Sequence, residues 1–93
     1  MSKDQNTVYV GSKPAMSYVL AVITSYNSSD TKEVTLKARG RSIKIAVDVA
    51  EIVKRRFMKD LKTDKITIGT EEIPQQEGGT RNVSTMEIKL TRD

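Results

Sequence analysis

Lys37-Ala38-Arg39-Gly40-Arg41-Ser42-Ile43 is the stretch on which the reading of this chain turns. Up to it the sequence alternates, with Val34, Leu36 and Ala38 on one side and Glu33, Thr35 and Lys37 on the other. Period two marks a half-buried strand. Beyond it, Ile43, Ala46, Val47, Ala50, Val53 and Phe57 recur at helical spacing, so a helix is predicted from Ser42 to about Met58. Gly40 stands where the period changes, and two arginines flank it. An earlier stretch, Val10-Gly11-Ser12-Lys13-Pro14, has the same design. Thr7-Val8-Tyr9-Val10 reads as a short strand, and Pro14 fits the first turn of a helix, where a missing N–H costs nothing.

From Ala15 to about Asn27 the period is again helical, with Met16, Val19, Leu20 and Ile23 on one face and Tyr18, Val22 and Tyr26 on a second. Asn27-Ser28-Ser29-Asp30 turns the chain. On the later helix Ile45, Val49 and Ile52 add a second apolar line. So wide an arc exceeds what one sheet face covers, which points to a subunit interface or to a helix wedged deep in its own fold. Lys54-Arg55-Arg56 suits the negative end of the helix dipole. A polar link, Lys59–Thr63, leads to a strand over Asp64–Thr70 with Ile66 and Ile68 inward. A last strand, Arg81–Thr91, turns Met86, Ile88 and Leu90 inward, and Gly78-Gly79 mark the hairpin turn between the two. Ile73 and Val83 are the only aliphatic residues between Thr70 and Thr85, so about residues 71–84 are predicted to project as an arm. The order is β-α-β-α-β-β. The predicted class is α/β: a two-layer sandwich of a four-stranded mixed sheet and two helices, one domain over 1–93, with a disordered tail over 1–6.

The 93 residues carry 16 Lys and Arg against 12 Asp and Glu, a net charge of +4. A basic domain can meet nucleic acid, an anionic membrane or an acidic protein. Cysteine and histidine are both absent, which removes disulfides, thiol chemistry, the commonest general base and the usual zinc ligands. The Gly-x-Lys-Pro junction lacks the Walker pattern. Glu71-Glu72 are strand neighbours and point to opposite faces. We therefore expect no catalytic residue, no metal, no cofactor and no small-molecule substrate. No apolar run approaches the ~20 residues that cross a bilayer, and the polar start, Met1 to Asn6, has no signal-peptide core. A cytoplasmic protein is the expectation.

If the first two strands lie parallel, both strand ends and both helix starts meet at one edge of the sheet. Helix N-termini attract phosphate. Lys13 stands at one junction, and Arg39, Arg41 and Lys44 at the other. Solvated cations at ordinary turns account for the same residues. The aromatic residues Tyr9, Tyr18, Tyr26 and Phe57 form no aromatic-rich strand motif. That favours contact with the backbone of a duplex over base stacking.

Gly11-Ser12-Lys13-Pro14-Ala15-Met16-Ser17-Tyr18-Val19-Leu20 resembles the Gly-Lys-Lys-Pro-x-Met-x-Tyr-Val stretch of the Alba family of archaeal chromatin proteins. Lys37 to Ile43, Ala46-Val47-Asp48, Glu51-Ile52-Val53, Arg56-Phe57 and Arg81 to Ile88 also resemble that family, so the likeness runs from about Thr7 to Leu90. The resemblance implies a homodimer with two hairpin arms that binds double-stranded DNA, and also RNA, independently of sequence. It implies a place on the chromosome, in the nucleoid. By it, Lys13, Arg39 and Arg41 contact the nucleic-acid backbone, with Ser12 and Lys44 beside them. Arg81 and Asn82 belong to an arm that follows the minor groove, and Phe57 joins dimer to dimer. The family often has two lysines before the proline, the first open to acetylation. This chain has Ser12 there, which has no amine to acetylate.

Overall fold

The structure, a computed structural model, describes residues 6–28 and 30–92, so the predicted tail lies outside the described residues except for Asn6. Strand β2 (Glu33–Arg39) buries Val34, Leu36 and Ala38 on one face, as its alternation requires. Strand β1 (Thr7–Tyr9) runs parallel to it, with Tyr9 opposite Lys37. Strand β4 (Thr80–Thr91) pairs antiparallel on the other side of β2, and β3 (Lys62–Pro74) pairs with β4 at the edge. The sheet is four-stranded and mixed, in the order β1-β2-β4-β3.

Helices α1 (Ala15–Asn27) and α2 (Ser42–Ile52) pack on the face that carries Val34, Leu36, Ile88 and Leu90. This is the expected two-layer α/β sandwich. From α1 the core takes Val19, Val22 and Tyr26, while Met16 and Leu20 stand exposed. The buried stripe thus joins parts of both predicted faces. Tyr26 is wholly buried because its polar tip is satisfied: Oη donates to the Leu90 carbonyl at 3.0 Å. Arg92 lies 4.7 Å over its ring. Burial pushes the Tyr26 hydroxyl up to about 12, against a smaller opposing pull from Arg92.

Three boundaries differ from the sequence reading. The last turn after α2, Val53–Phe57, is a π-helix closed by Met58 N–H to the Val53 carbonyl. The widened turn breaks the four-residue register, and Phe57 stands 51% exposed. The link after it is not wholly polar, since Leu61 is buried in the core. Strand β3 begins at Lys62 and runs on to Pro74, so pairing continues through the hairpin to a turn at Gln75–Gly79.

The fourth difference is the largest. Ile66 and Ile68 were expected inward, yet they are 55% and 73% exposed. They pair with Ile88 and Met86, so they do face the helical side of the sheet. But α2 packs over β2 and β4, and β3 lies beyond its cover.

Candidate nucleic-acid interface

Because β1 and β2 are parallel neighbours, both strand-to-helix junctions emerge at one end of the sheet. Val10 N–H donates to the Lys37 carbonyl at 2.8 Å and ties the two together. At the first junction Tyr18 Oη accepts from Gly11 N–H at 2.9 Å and from Lys13 N–H at 3.1 Å. The hydroxyl thus holds the loop against α1 and leaves the Lys13 side chain exposed.

At the second junction Gly40 has φ +58°, which disfavours any residue with a Cβ. Its N–H donates to the Ser84 carbonyl at 2.8 Å, fixing the turn to β4. Neither helix has a side-chain cap or an acidic residue in its first turn. Ser17 N–H is taken by the Pro14 carbonyl and Ile43 N–H by the Gly40 carbonyl, and no side-chain cap competes with an anion for the rest of either first turn.

The sequence reading placed four cations here. Lys13 and Arg41 are exposed and have no ion-pair partner among the described residues. Arg39 is paired with Glu71 on β3, and Lys44 with Asp48 at 2.9 Å, one helical turn on. The edge is thus partly self-neutralised, since two of these four cations carry a carboxylate partner. Ser12 is exposed on the first loop. Arg81 and Asn82 are exposed on β4, opposite Ile73 and Glu72. Arg81 lies three residues beyond Ser84 on β4, about 10 Å along the strand. Junction and arm are therefore brought onto one stretch of surface. Phe57 lies apart, at the far end of α2.

Sequence reasoning missed Glu71 and Tyr18. Glu71 meets Arg39 only because Arg39 pairs with Thr85, and Thr85 with Gly69, two residues before Glu71. Tyr18 was read as a helix-face residue, although it lies five residues from Lys13. Among the described residues no group of acidic or imidazole side chains could hold a metal, and no helix is long and apolar enough to cross a membrane.

A family model described as Alba matches residues 6–70. A DNA/RNA-binding protein Alba from Methanocella arvoryzae is 51% identical over 89 residues, spanning 96% of this chain and 92% of that protein. A DNA/RNA-binding protein Alba 1 from Archaeoglobus fulgidus is 54% identical over 88 residues, spanning 95% of this chain and 97% of that one. The solved structure of Alba from Thermoplasma volcanium superposes with a TM-score of 0.87 at 45% identity, covering 94% of this chain and 100% of its own.

Proposed function

This chain belongs to the Alba family, and from that membership and the geometry above we propose that it binds double-stranded DNA, independently of sequence, as a homodimer on the chromosome in the cytoplasm. The observation that carries this reading is the meeting of two uncapped helix N-termini, with Lys13 and Arg41 beside them, at one end of a parallel strand pair. Such an edge attracts phosphate. Phosphate contacts fix a protein on the duplex but carry no base information, hence the indifference to sequence.

In this reading Lys13, Arg39 and Arg41 grip the backbone, flanked by Ser12 and Lys44. The arm over residues 71–84 carries Arg81 and Asn82 along the minor groove. The exposed Val47, Ile66 and Ile68 supply an apolar face for a second copy, and Phe57 joins one dimer to the next. RNA is a second ligand. The relatives are named as binding both nucleic acids, and a basic edge built for phosphate does not distinguish the sugars. No chemical step belongs to this function.

The test is a binding titration on duplex DNA at several salt concentrations. The logarithm of affinity is expected to fall by about 0.9 per phosphate neutralised for each unit of log salt, with little change between duplex sequences. A flat salt response, or strong preference for one short site, overturns the proposal.

A further inference from the structure

The sheet face turned away from the helices carries an open cleft of about 580 Å³ at its junction end. Val8 and Val10 are buried on the helical side, so Tyr9 between them points to this bare face. Tyr9 is 63% exposed, which excludes a core role. Tyr9 pairs with Lys37, and Lys37 with Glu87, so the three lie in one row across β1, β2 and β4. Neither Lys37 nor Glu87 has an ion-pair partner among the described residues, although they are cross-strand neighbours. In the next row Arg39 and Thr85 line the cleft, and Glu71 closes it through its bond to Arg39. The row continues to Gly69, which places no side chain on the floor. A Cβ there would come within 3.2 Å of Thr85 Oγ1.

We propose that this cleft holds one unpaired nucleotide of a bound RNA or DNA strand, its base stacked on Tyr9 and its phosphate on Lys37. Aromatic rings on open sheet faces hold single strands by stacking. A base inside a duplex is covered on both faces by its neighbours and cannot offer one to Tyr9. The charges fit a single nucleotide better than a run of phosphates. The lining carries two cations, Lys37 and Arg39, and two carboxylates, Glu71 and Glu87; with Arg39 on Glu71, Lys37 is left as a single cation on the cleft floor for one phosphate. A carboxylate accepts an N–H from a base edge, and Glu87 is unpaired and placed to do so. The site rests on the nucleic-acid reading above and adds to it a preference for bulges, loops and strand ends.

The test uses the full chain and short hairpins in which 2-aminopurine is bulged, base-paired or deleted, each made in RNA and in DNA. Binding to the bulged probes is expected to quench 2-aminopurine emission. Tyr9→Leu is expected to lose that quench and to weaken binding of the bulged probes by roughly five- to a hundredfold. The fully paired probes should bind as before. Tyr9→Phe keeps the quench and the affinity. Lys37→Gln weakens the bulged probes and lowers their salt slope by about 0.7, one single-strand phosphate. The sugar whose bulged probe binds tighter identifies the source. If wild-type protein binds the bulged probes without quench, or Tyr9→Leu keeps it, the cleft does not hold the base. Should Tyr9→Leu fail to melt like wild type, unchanged binding by Lys37→Gln overturns the site on its own. If the wild-type chain binds no probe of any kind, the nucleic-acid reading itself fails, which is a separate outcome.

Discussion

Arg39 ends β2 with its guanidinium already joined to Glu71. A phosphate that takes Arg39 must displace a carboxylate from it. Both side chains are more than half in contact with water or close to it, at 60% and 50% exposure, so the pair belongs among surface ion pairs, worth about 0.2–1 kcal/mol. Glu71→Gln is therefore expected to tighten duplex binding about 1.4- to fivefold, by that same energy. Glu72→Gln is the control. It changes the net charge equally, but Glu72 pairs across the hairpin with Asn82 and has no ion pair among the described residues. Binding isotherms for the two variants should differ, and the Glu71→Gln gain should vanish when Arg39 is alanine. Equal gains from both variants would mean that Glu71 acts through bulk charge alone. The pair was not legible in the sequence, because it depends on the register of three strands.

At the scale of elements, the strand-to-helix junctions could be read in advance. Gly40 interrupts a two-residue period and opens a helical one, and the right-handed crossover rule brings both junctions to one edge. The hairpin turn at Gly78-Gly79 was equally legible, and both glycines have positive φ. Periodicity failed where cover was the question. It places Ile66 and Ile68 on the helical side of β3, but it cannot say that α2 stops short of the edge strand. The junctions and the arm also differ in support. Gly40 is pinned to Ser84, and Tyr18 holds the first loop. Beyond Val83 the arm is exposed apart from the half-buried Ile73. Ordering an exposed side chain on contact offsets part of the gain. Arg39→Ala with Arg41→Ala is thus expected to lower the salt slope by about two units, and Arg81→Ala by about one at most. The Arg81 effect should grow on A-tract duplexes, whose narrow minor groove draws arginine in. A larger loss from Arg81→Ala on every duplex would move the main grip to the arm. At the other end of α2, Phe57 is half exposed. Its truncation should cost well under the ~3–5 kcal/mol of a core phenylalanine. Thermal melting should change little while cooperative coating of long DNA declines. A collapse in melting temperature with cooperativity intact would make Phe57 a core residue.

Taken whole, the single chain leaves an apolar edge uncovered, with Ile66 and Ile68 exposed on β3. Its Cα radius of gyration is 14.2 Å, above the about 12 Å of a compact chain of this length. The excess fits a long hairpin and an edge strand left bare. Asp48 and Ile52 of α2 share a cleft with Ala15 of α1. Helical geometry then turns Ile43 and Val47, on the opposite side, towards the β3 edge. There Val47, Ile66 and Ile68 are exposed on the same layer. A two-fold axis through such a face makes it its own complement. It would also set two pairs of junctions and two arms on one assembly, so that one duplex meets twice the cations of a single copy. Ile68→Glu places a charge in that face without touching the core, since Ile68 is 73% exposed in the single chain. The variant is expected to keep its circular dichroism spectrum while sedimenting as a monomer. Its salt slope should fall towards half the wild-type value, because half of the phosphate contacts are lost from each complex. If Ile68→Glu sediments as wild type does, the second copy sits elsewhere. If it becomes monomeric and the salt slope does not change, each chain grips DNA alone, and the doubled edge is not how the protein binds.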